Sequence, residues 1–588
     1  MAKINLTRLC IPAILMGLAG CASESKVKTT GARIVTNPID INYQFQPEDN
    51  DPSRREAADP ACEYFNGSYW LFASKSGGYW RSDNLAEWEY IPAPSIATVN
   101  EYAPTILPIG DTLYFTASSD GNPTRIFRTR TPQDGNSWEE IECKLSDLHQ
   151  HDPSFYQDED GRVYIYWGCH DVEPIYGMEI DPNDGFKPLG EPVVLIGHNT
   201  DKYGWEQPGV DNEEPRNGWN EGPAMLKVDG KYYLQYAGPG TQYRIYADGI
   251  YVGDSPLGPF TYMEDNPFSI KPGGFIGAAG HGHTFRDKYG NYWHVASMLV
   301  GVRHWFERRL GLFPVTVKDN DMRAYTTFAD YPFIIPDKKV TEGDFNDRTL
   351  STGWRQLAIG KSATASSEGT VGTTGSKTQV DTEGNADTKG YARYATDELI
   401  ETWWTAETGN AGEWLQVDLG KDSEINAIQV NFADEGSTAL IGDSLPYKYV
   451  IEVSYDGKKW RTFADMSDNT ADNPHRLLVA DTPVNGRYVR ITNRADMPCK
   501  FSIMDLRVFG RDDRGQLADV TGFKAVRNES DRRVYDFEWD AVKDADGYIL
   551  RWGTREGDPS HSVTVRDTKY HAGYFNRDSE YFFTIEAF

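Results

Sequence analysis

Apolar positions in the first half of the chain do not recur at helical spacing. They fall in short runs broken by glycine turns, and one pattern returns five times: an extended segment, a turn containing glycine, then an aromatic strand. The copies are ACEYFNGSYWLFAS, TILPIGDTLYFTASS, SFYQDEDGRVYIYWG, AMLKVDGKYYLQYAG and TFRDKYGNYWHVAS. The turns use Asn66-Gly67, Gly110-Asp111, Asp160-Gly161, Asp229-Gly230 and Tyr289-Gly290, mostly good hairpin formers because glycine takes positive φ without a steric cost. Repetition of one hairpin predicts an all-β fold whose residues 42–336 form a five-bladed β-propeller. A sandwich has no reason to repeat a single hairpin.

What precedes each hairpin carries the candidate chemistry. Asp59-Pro60, Ala103-Pro104, Asp152-Pro153, Glu221-Gly222-Pro223 and His281-Gly282 each stand seven to nine residues ahead of their turn glycine. Equivalent positions on the first strand of successive blades make a ring around one mouth. Asp59, Asp152 and Glu221 would then converge with His281. Three acids in one cavity repel each other and lose water, which raises the pKa of at least one and points to function rather than stability. Carboxylates so placed hold a cation, or act as acid and base in glycoside hydrolysis. Trp80, Trp205 and Trp219 lie near these positions in the sequence and are candidate sugar platforms or core residues.

The 588 residues exceed one domain. A linker pattern covers 337–358, followed by a second all-β region over 359–512 and a third over 517–588. Net charge of -29 disfavours nucleic acid or an anionic membrane surface as partner. Aromatics reach 13%, which suits β cores and sugar binding alike. At the N-terminus, Lys3 and Arg8 flank a short apolar run ending Leu18-Ala19-Gly20-Cys21, too short to span a membrane once mature. It resembles a bacterial lipoprotein signal over 1–21, with Cys21 as the lipid-carrying residue and a polar tether over 22–41. That implies an exported, membrane-tethered protein. No CxxC pair is present, and a Cys143–Cys169 disulfide is permitted by an oxidising compartment.

The segments AADPACEYFNGSYWLFAS, HDPSFYQDEDGRVYIYWG, NEGPAMLKVDGKYYLQYAGPGT, YVGDSPLGPF, GAAGHGHTF and ERRLGLFPV together resemble glycoside hydrolase family 43, inverting enzymes on a five-bladed propeller. The resemblance implies Asp59 as general base, Glu221 as general acid, and Asp152 as the carboxylate that raises and orients Glu221. It also implies His281, rather than His283, beside a water-coordinated calcium, and Arg309 or its neighbour Arg308 at the substrate. GEWLQVDLGKDSEINAIQVNF and FSIMDLRVFG resemble a discoidin-type jelly roll, shared with carbohydrate-binding module family 32, in which a structural calcium is common; Trp404 and Trp414 read as core there. VYDFEWDAVKDADGYILRWGT and EYFFTIEAF resemble a fibronectin type III sandwich. The expected activity is exo-acting removal of plant cell-wall side chains, with α-L-arabinofuranosides first and β-xylosides or β-1,3-galactans as alternatives. The non-enzyme alternative is a surface glycan-binding lipoprotein.

Overall fold

The computed structural model describes residues 33–46, 53–119, 122–145, 150–372, 388–513, 515, 517–557, 559 and 561–588. Cys21, the signal and most of the tether fall outside them. Five antiparallel sheets follow one another from Ala61 to Ala324. The first is Ala61–Phe65, Ser68–Phe72, Gly78–Ser82 and Glu89–Pro92. The second starts with Thr105–Ile109 and the third with Ser154–Gln157. The fourth is Asn220–Val228, Lys231–Gly238, Ala247–Gly253 and Phe260–Tyr262, with Cys169–His170 added beside its first strand. The fifth is Gly277–Arg286, Tyr292–Leu299, Arg308–Lys318 and Asp321–Ala324. First strands of successive sheets touch in order, and that of the fifth touches that of the first.

All five hairpins are present, and Gly67, Gly110, Gly161, Gly230 and Gly290 have positive φ. Second strands such as Ser68–Phe72 and Val163–Trp167 are buried on both faces, because neighbouring sheets cover each side. Their apolar and aromatic residues therefore run on without polar alternation. Between the first two sheets Phe72 stacks on Tyr79 at 4.4 Å and meets Phe115 at 5.4 Å. Burying each such ring stabilises by roughly 2–3 kcal/mol.

Two boundaries differ from the sequence reading. Ile34–Val35 pairs with Phe333–Ile334, and Ile39, Ile41 and Tyr43 are buried in the core of the fifth sheet, so the tether gives way to folded chain by Ile34. In the expected linker, Phe345 and Leu350 are buried, and Arg355–Gln356 pairs with Ser502–Arg511 of the following domain.

That domain is built on two long strands, Trp414–Phe432 and His475–Asn493, flanked by Ser502–Arg511 and Tyr449–Ser454. Trp404 is in its core, and Trp414 is half-buried. The last unit is a pair of three-stranded sheets, Lys524–Arg527 with Tyr535–Glu538 and Lys569–Ala572, and His561–Val565 with Tyr548–Gly553 and Phe582–Ala587. It packs on the fourth sheet: Trp205, Tyr236, Phe537, Trp552 and Phe575 share one core. The four cysteines among the described residues, Cys62, Cys143, Cys169 and Cys499, are free, so the permitted Cys143–Cys169 bridge does not form.

Candidate active site

Asp59, Ala103, Asp152 and His281 all hold left-handed backbone, with φ of 49°, 47°, 51° and 41°. Such conformations are strained for residues with a Cβ and persist only where surroundings fix them. The fixing groups are serines at the ends of second strands. Ser297 Oγ accepts from the Asp59 N–H at 2.8 Å, Ser74 from Ala103 at 2.8 Å, and Ser118 from Asp152 at 2.9 Å. Each serine belongs to one sheet and holds the leading residue of the next. Ser74 also donates to Asp59 Oδ2 at 2.7 Å.

In the fourth sheet the left-handed residue is Gly222, at φ 58°. Glu221 therefore sits one residue before the ring position, and its place is set by a different contact: it pairs directly with Cys169 across the added strand. A Cβ on Gly222 would lie 2.6 Å from His281 Cδ2, so only glycine lets the acid and the imidazole lie this close.

Asp59 and Asp152 flank His281, whose Nδ1 is 3.4 Å from Asp59 Oδ1 and 3.7 Å from Asp152 Oδ2. Glu221 Oε2 accepts from Cys169 Sγ at 3.2 Å, and Oε1 accepts from the Tyr246 hydroxyl. One ligand atom each from Asp152, Cys169 and Glu221 lie within 4.8 Å of one another. All four ionisable groups are buried, and they are not equivalent. Burial pushes Asp59 up, but the Arg308 guanidinium at 2.8 Å, His281 and the Ser74 hydroxyl outweigh it and hold Asp59 below the usual aspartate value. Burial, aided by Glu221 and Asp59, raises Asp152 to about 7 against the opposing pull of His281. Burial disfavours a charged His281, but Asp59, Asp152 and Glu221 win and raise it. The site thus pairs one carboxylate held ionised, Asp59, with another, Asp152, raised to about 7, and acid–base work needs groups pushed apart in this way.

The structure separates the other sequence candidates. Trp80 is fully buried, donates to the Asn42 carbonyl at 3.1 Å and packs on Tyr90; it is core, not a sugar platform. Trp205 is likewise buried, bonded to Tyr262. Trp219 is 38% exposed and stands two residues before Glu221. Arg309 is fully buried and bonds His475 at 2.8 Å, which removes it from the substrate; its neighbour Arg308 is the one that reaches Asp59. His281 stands between two carboxylates, Asp59 and Asp152. His283 is pushed down to about 4 by burial and by His294 and stays neutral, with Nε2 3.8 Å from Glu63.

Sequence reasoning missed Tyr246, Cys169, Glu56 and Trp305. Glu56 takes the other arm of Arg308 at 2.7 Å. Trp305 is 55% exposed and packs on Phe306, whose ring lies against the Arg308 guanidinium. The Ala-Ser that ends three of the repeated hairpins was the visible sign of the serine locks.

Residues 50–322 match the glycosyl hydrolases family 43 model. This stretch is a family 43 domain. Residues 362–503 match the F5/8 type C domain, the discoidin fold. Among curated proteins, lactadherin of Bos taurus is 31% identical over 97 residues, 15% of this chain and 22% of its own. "Beta-D-galactofuranosidase xynD" of Aspergillus niger is 22% identical over 235 residues, 35% of this chain and 63% of its own. The chain thus spans about a fifth of the length of the first curated relatives it matches. Among solved structures, a "Glycoside hydrolase" is 19% identical with a TM-score of 0.45, covering 77% of this chain and 97% of that one. The family 43 protein BlXynB of Bacillus licheniformis is 15% identical with a TM-score of 0.40, covering 94% and 100%.

Proposed function

We propose that this chain is an exo-acting, inverting glycosidase that removes furanosyl side chains, α-L-arabinofuranosyl first, from plant cell-wall polysaccharides. The five sheets act as a five-bladed propeller. Asp59 is the general base: it takes a proton from water as the water oxygen attacks the anomeric carbon. Glu221 is the general acid: it gives its proton to the glycosidic oxygen as that bond breaks. Asp152, itself raised to about 7, is the carboxylate that orients Glu221. The observation that carries this reading is the opposite proton demand of the two sides, with Asp59 ionised under Arg308 and Asp152 raised beside Glu221. A furanoside is supported by the Aspergillus niger relative, which is named a β-D-galactofuranosidase. The test is product release from 4-nitrophenyl α-L-arabinofuranoside, β-D-galactofuranoside and β-D-xylopyranoside, with arabinan and arabinoxylan alongside and the product anomer read by NMR. Arabinose of inverted configuration is expected. Release of xylose alone moves the assignment to a β-xylosidase; glycan binding without turnover on any substrate moves it to a binding protein.

The C-terminal unit is proposed as a fibronectin type III-like spacer. Its support is Tyr581, which stands just before strand Phe582–Ala587 and accepts from the Asn576 N–H at 3.0 Å, as the tyrosine corner of such sandwiches does. Calcium is proposed in the discoidin domain beside Asp505, whose buried Oδ1 has no hydrogen-bond partner, and, through water, at the propeller axis beside His281. Export and lipid attachment at Cys21 are proposed from the sequence; Cys21→Ser should move the protein from the membrane to the soluble fraction.

A further inference from the structure

We infer that the discoidin domain is a working part of the catalytic centre, and that its His475 positions Arg308 against the base Asp59. The inference rests on the reading of Asp59 as base. It starts from strand periodicity: successive side chains of Arg308–Lys318 point to opposite faces. Arg308 turns to the site, donating to Asp59 Oδ1 at 2.8 Å, Glu56 Oε1 at 2.7 Å and Thr241 Oγ1 at 3.3 Å. Arg309 turns away and meets the discoidin domain. Its Nε donates to His475 Nε2 at 2.8 Å, and its Nη1 donates to the carbonyls of Arg55 and Arg308. His475 is held as an acceptor on that nitrogen because its Nδ1–H bonds Asn431 Oδ1 at 2.9 Å. Burial and the nearby Arg309 and Arg55 keep the ring neutral.

Two further clamps converge on the same stretch. Arg55, next to Glu56, donates to Asp434 Oδ2 at 2.8 Å and Asp472 Oδ1 at 2.7 Å. Arg303, at the start of the loop carrying Trp305 and Phe306, donates to the Ala433 carbonyl and to Glu307 at 3.0 Å, and lies over Trp403 at 5.4 Å. Three arginines of the catalytic domain are thus desolvated against the discoidin domain. Buried guanidiniums are tolerable only with fixed, well-placed partners, so the docking is rigid and the loop and Arg308 inherit its precision. An independently tethered sugar-binding module would not require it.

The consequence is electrostatic. Arg308 is the strongest of the groups holding Asp59 ionised. Displacing it raises the proton affinity of Asp59, and the acidic limb of kcat/KM moves to higher pH. Loss of folded protein lowers activity equally at every pH and leaves the limb where it was. In the full chain, His475→Ala is expected to move the acidic limb up by about half a pH unit or more and to lower kcat about ten-fold. His475→Gln keeps an acceptor for Arg309 and a donor for Asn431, and should restore both. Should His475→Ala not fold, Arg303→Met carries the same test, since it keeps the stem on Trp403 and loses the bonds to Ala433 and Glu307. A folded variant with wild-type limb and kcat overturns the inference while leaving the base assignment intact, provided Asp59→Asn is inactive. Full activity of Asp59→Asn sinks the base assignment itself.

Discussion

Cys169 and Glu221 pair directly across two strands, and the thiol lies 3.2 Å from Glu221 Oε2. The thiol is a weak donor, buried, with its own pKa pushed well up by burial and the neighbouring acids, so it stays protonated and donates. A hydrogen bond to a carboxylate favours its ionised form. Cys169→Ser supplies a stronger donor and should move the alkaline limb of the kcat profile to lower pH; Cys169→Ala removes it and should move the limb up, with kcat down a few-fold. Limbs that coincide in all three proteins would show that the thiol has no influence on the acid. Because Cys143 and Cys169 are both free, reducing agent should leave the melting temperature unchanged.

The division of labour between Asp59 and Glu221 separates by leaving group. A good leaving group departs without a proton, so Glu221→Gln should lose several orders of magnitude on arabinan yet keep measurable release from 2,4-dinitrophenyl α-L-arabinofuranoside. Asp59→Asn should fail on both, because no leaving group replaces the base that activates water. Circular dichroism should show both variants folded. Equal losses on both substrates for Glu221→Gln would contradict its role as acid.

Asp152 ties the site to stability. Its folded pKa, about 7, lies above the ordinary 3.8. A carboxyl with a raised folded pKa binds its proton more tightly in the folded state. Its favourable contribution is full below about pH 4 and is lost as pH rises through 7. At pH 8 the wild-type protein holds a buried charge that Asp152→Asn lacks. The variant should therefore melt higher than wild type at pH 8, with the gap closing toward pH 5, while its activity is lower. A gap that widens toward acid pH would reverse the assignment.

How far the sequence reads the site depends on which contacts are local. The hairpins were legible because glycine turns and apolar runs are local signals. Asp59, Asp152 and His281 were legible because their left-handed positions repeat, the first two of them locked by serines. Glu221 was found for a reason that is only nearly right: the repeat aligns Gly222, not Glu221, with Asp59, and the strand that carries Cys169 to Glu221 leaves no periodic trace. Arg308 and Arg309 were not separable, since neighbours on a strand face opposite ways and only the docked discoidin domain says which way is which. Trp80 misled because aromatic content marks both cores and sugar sites. Residues 34–41 read as tether because Val35, Ile39, Ile41 and Tyr43 find their partners almost 300 residues later, through the Val35–Phe333 pairing and the Ile39 N–H to the Leu310 carbonyl.

Gly222 gives a steric test of the same geometry. Alanine there meets a positive φ and a ring atom at 2.6 Å. The backbone term alone costs about 1 kcal/mol, and relief requires His281 to swing away from Asp59 and Asp152. Gly222→Ala should therefore lower kcat by ten-fold or more, with a smaller effect on KM, because the displaced charge acts on the reacting groups rather than on the sugar. An alanine variant with unchanged kcat would mean that His281 is free to move without consequence.

The discoidin domain offers the last test, at Asp505. This carboxylate is fully buried; its Oδ2 accepts from the Glu398 N–H at 2.8 Å, while Oδ1 has no hydrogen-bond partner. Arg507 relieves it only in part, since its hydrogen bonds go to Glu398 at 3.1 Å and Gln429 at 3.0 Å, and burial with the neighbouring Glu398 and Asp397 still pushes Asp505 well up. An unpaired buried carboxylate oxygen is costly, and calcium, which binds oxygen ligands, would remove that cost. Calcium should raise the melting temperature of the wild-type chain after EDTA treatment, and Asp505→Asn should abolish the increment while raising the calcium-free melting temperature. A wild-type protein indifferent to EDTA and calcium, whose Asp505→Asn variant is nonetheless stabilised, would mean that the domain simply tolerates a strained acid, and that no ion occupies this place.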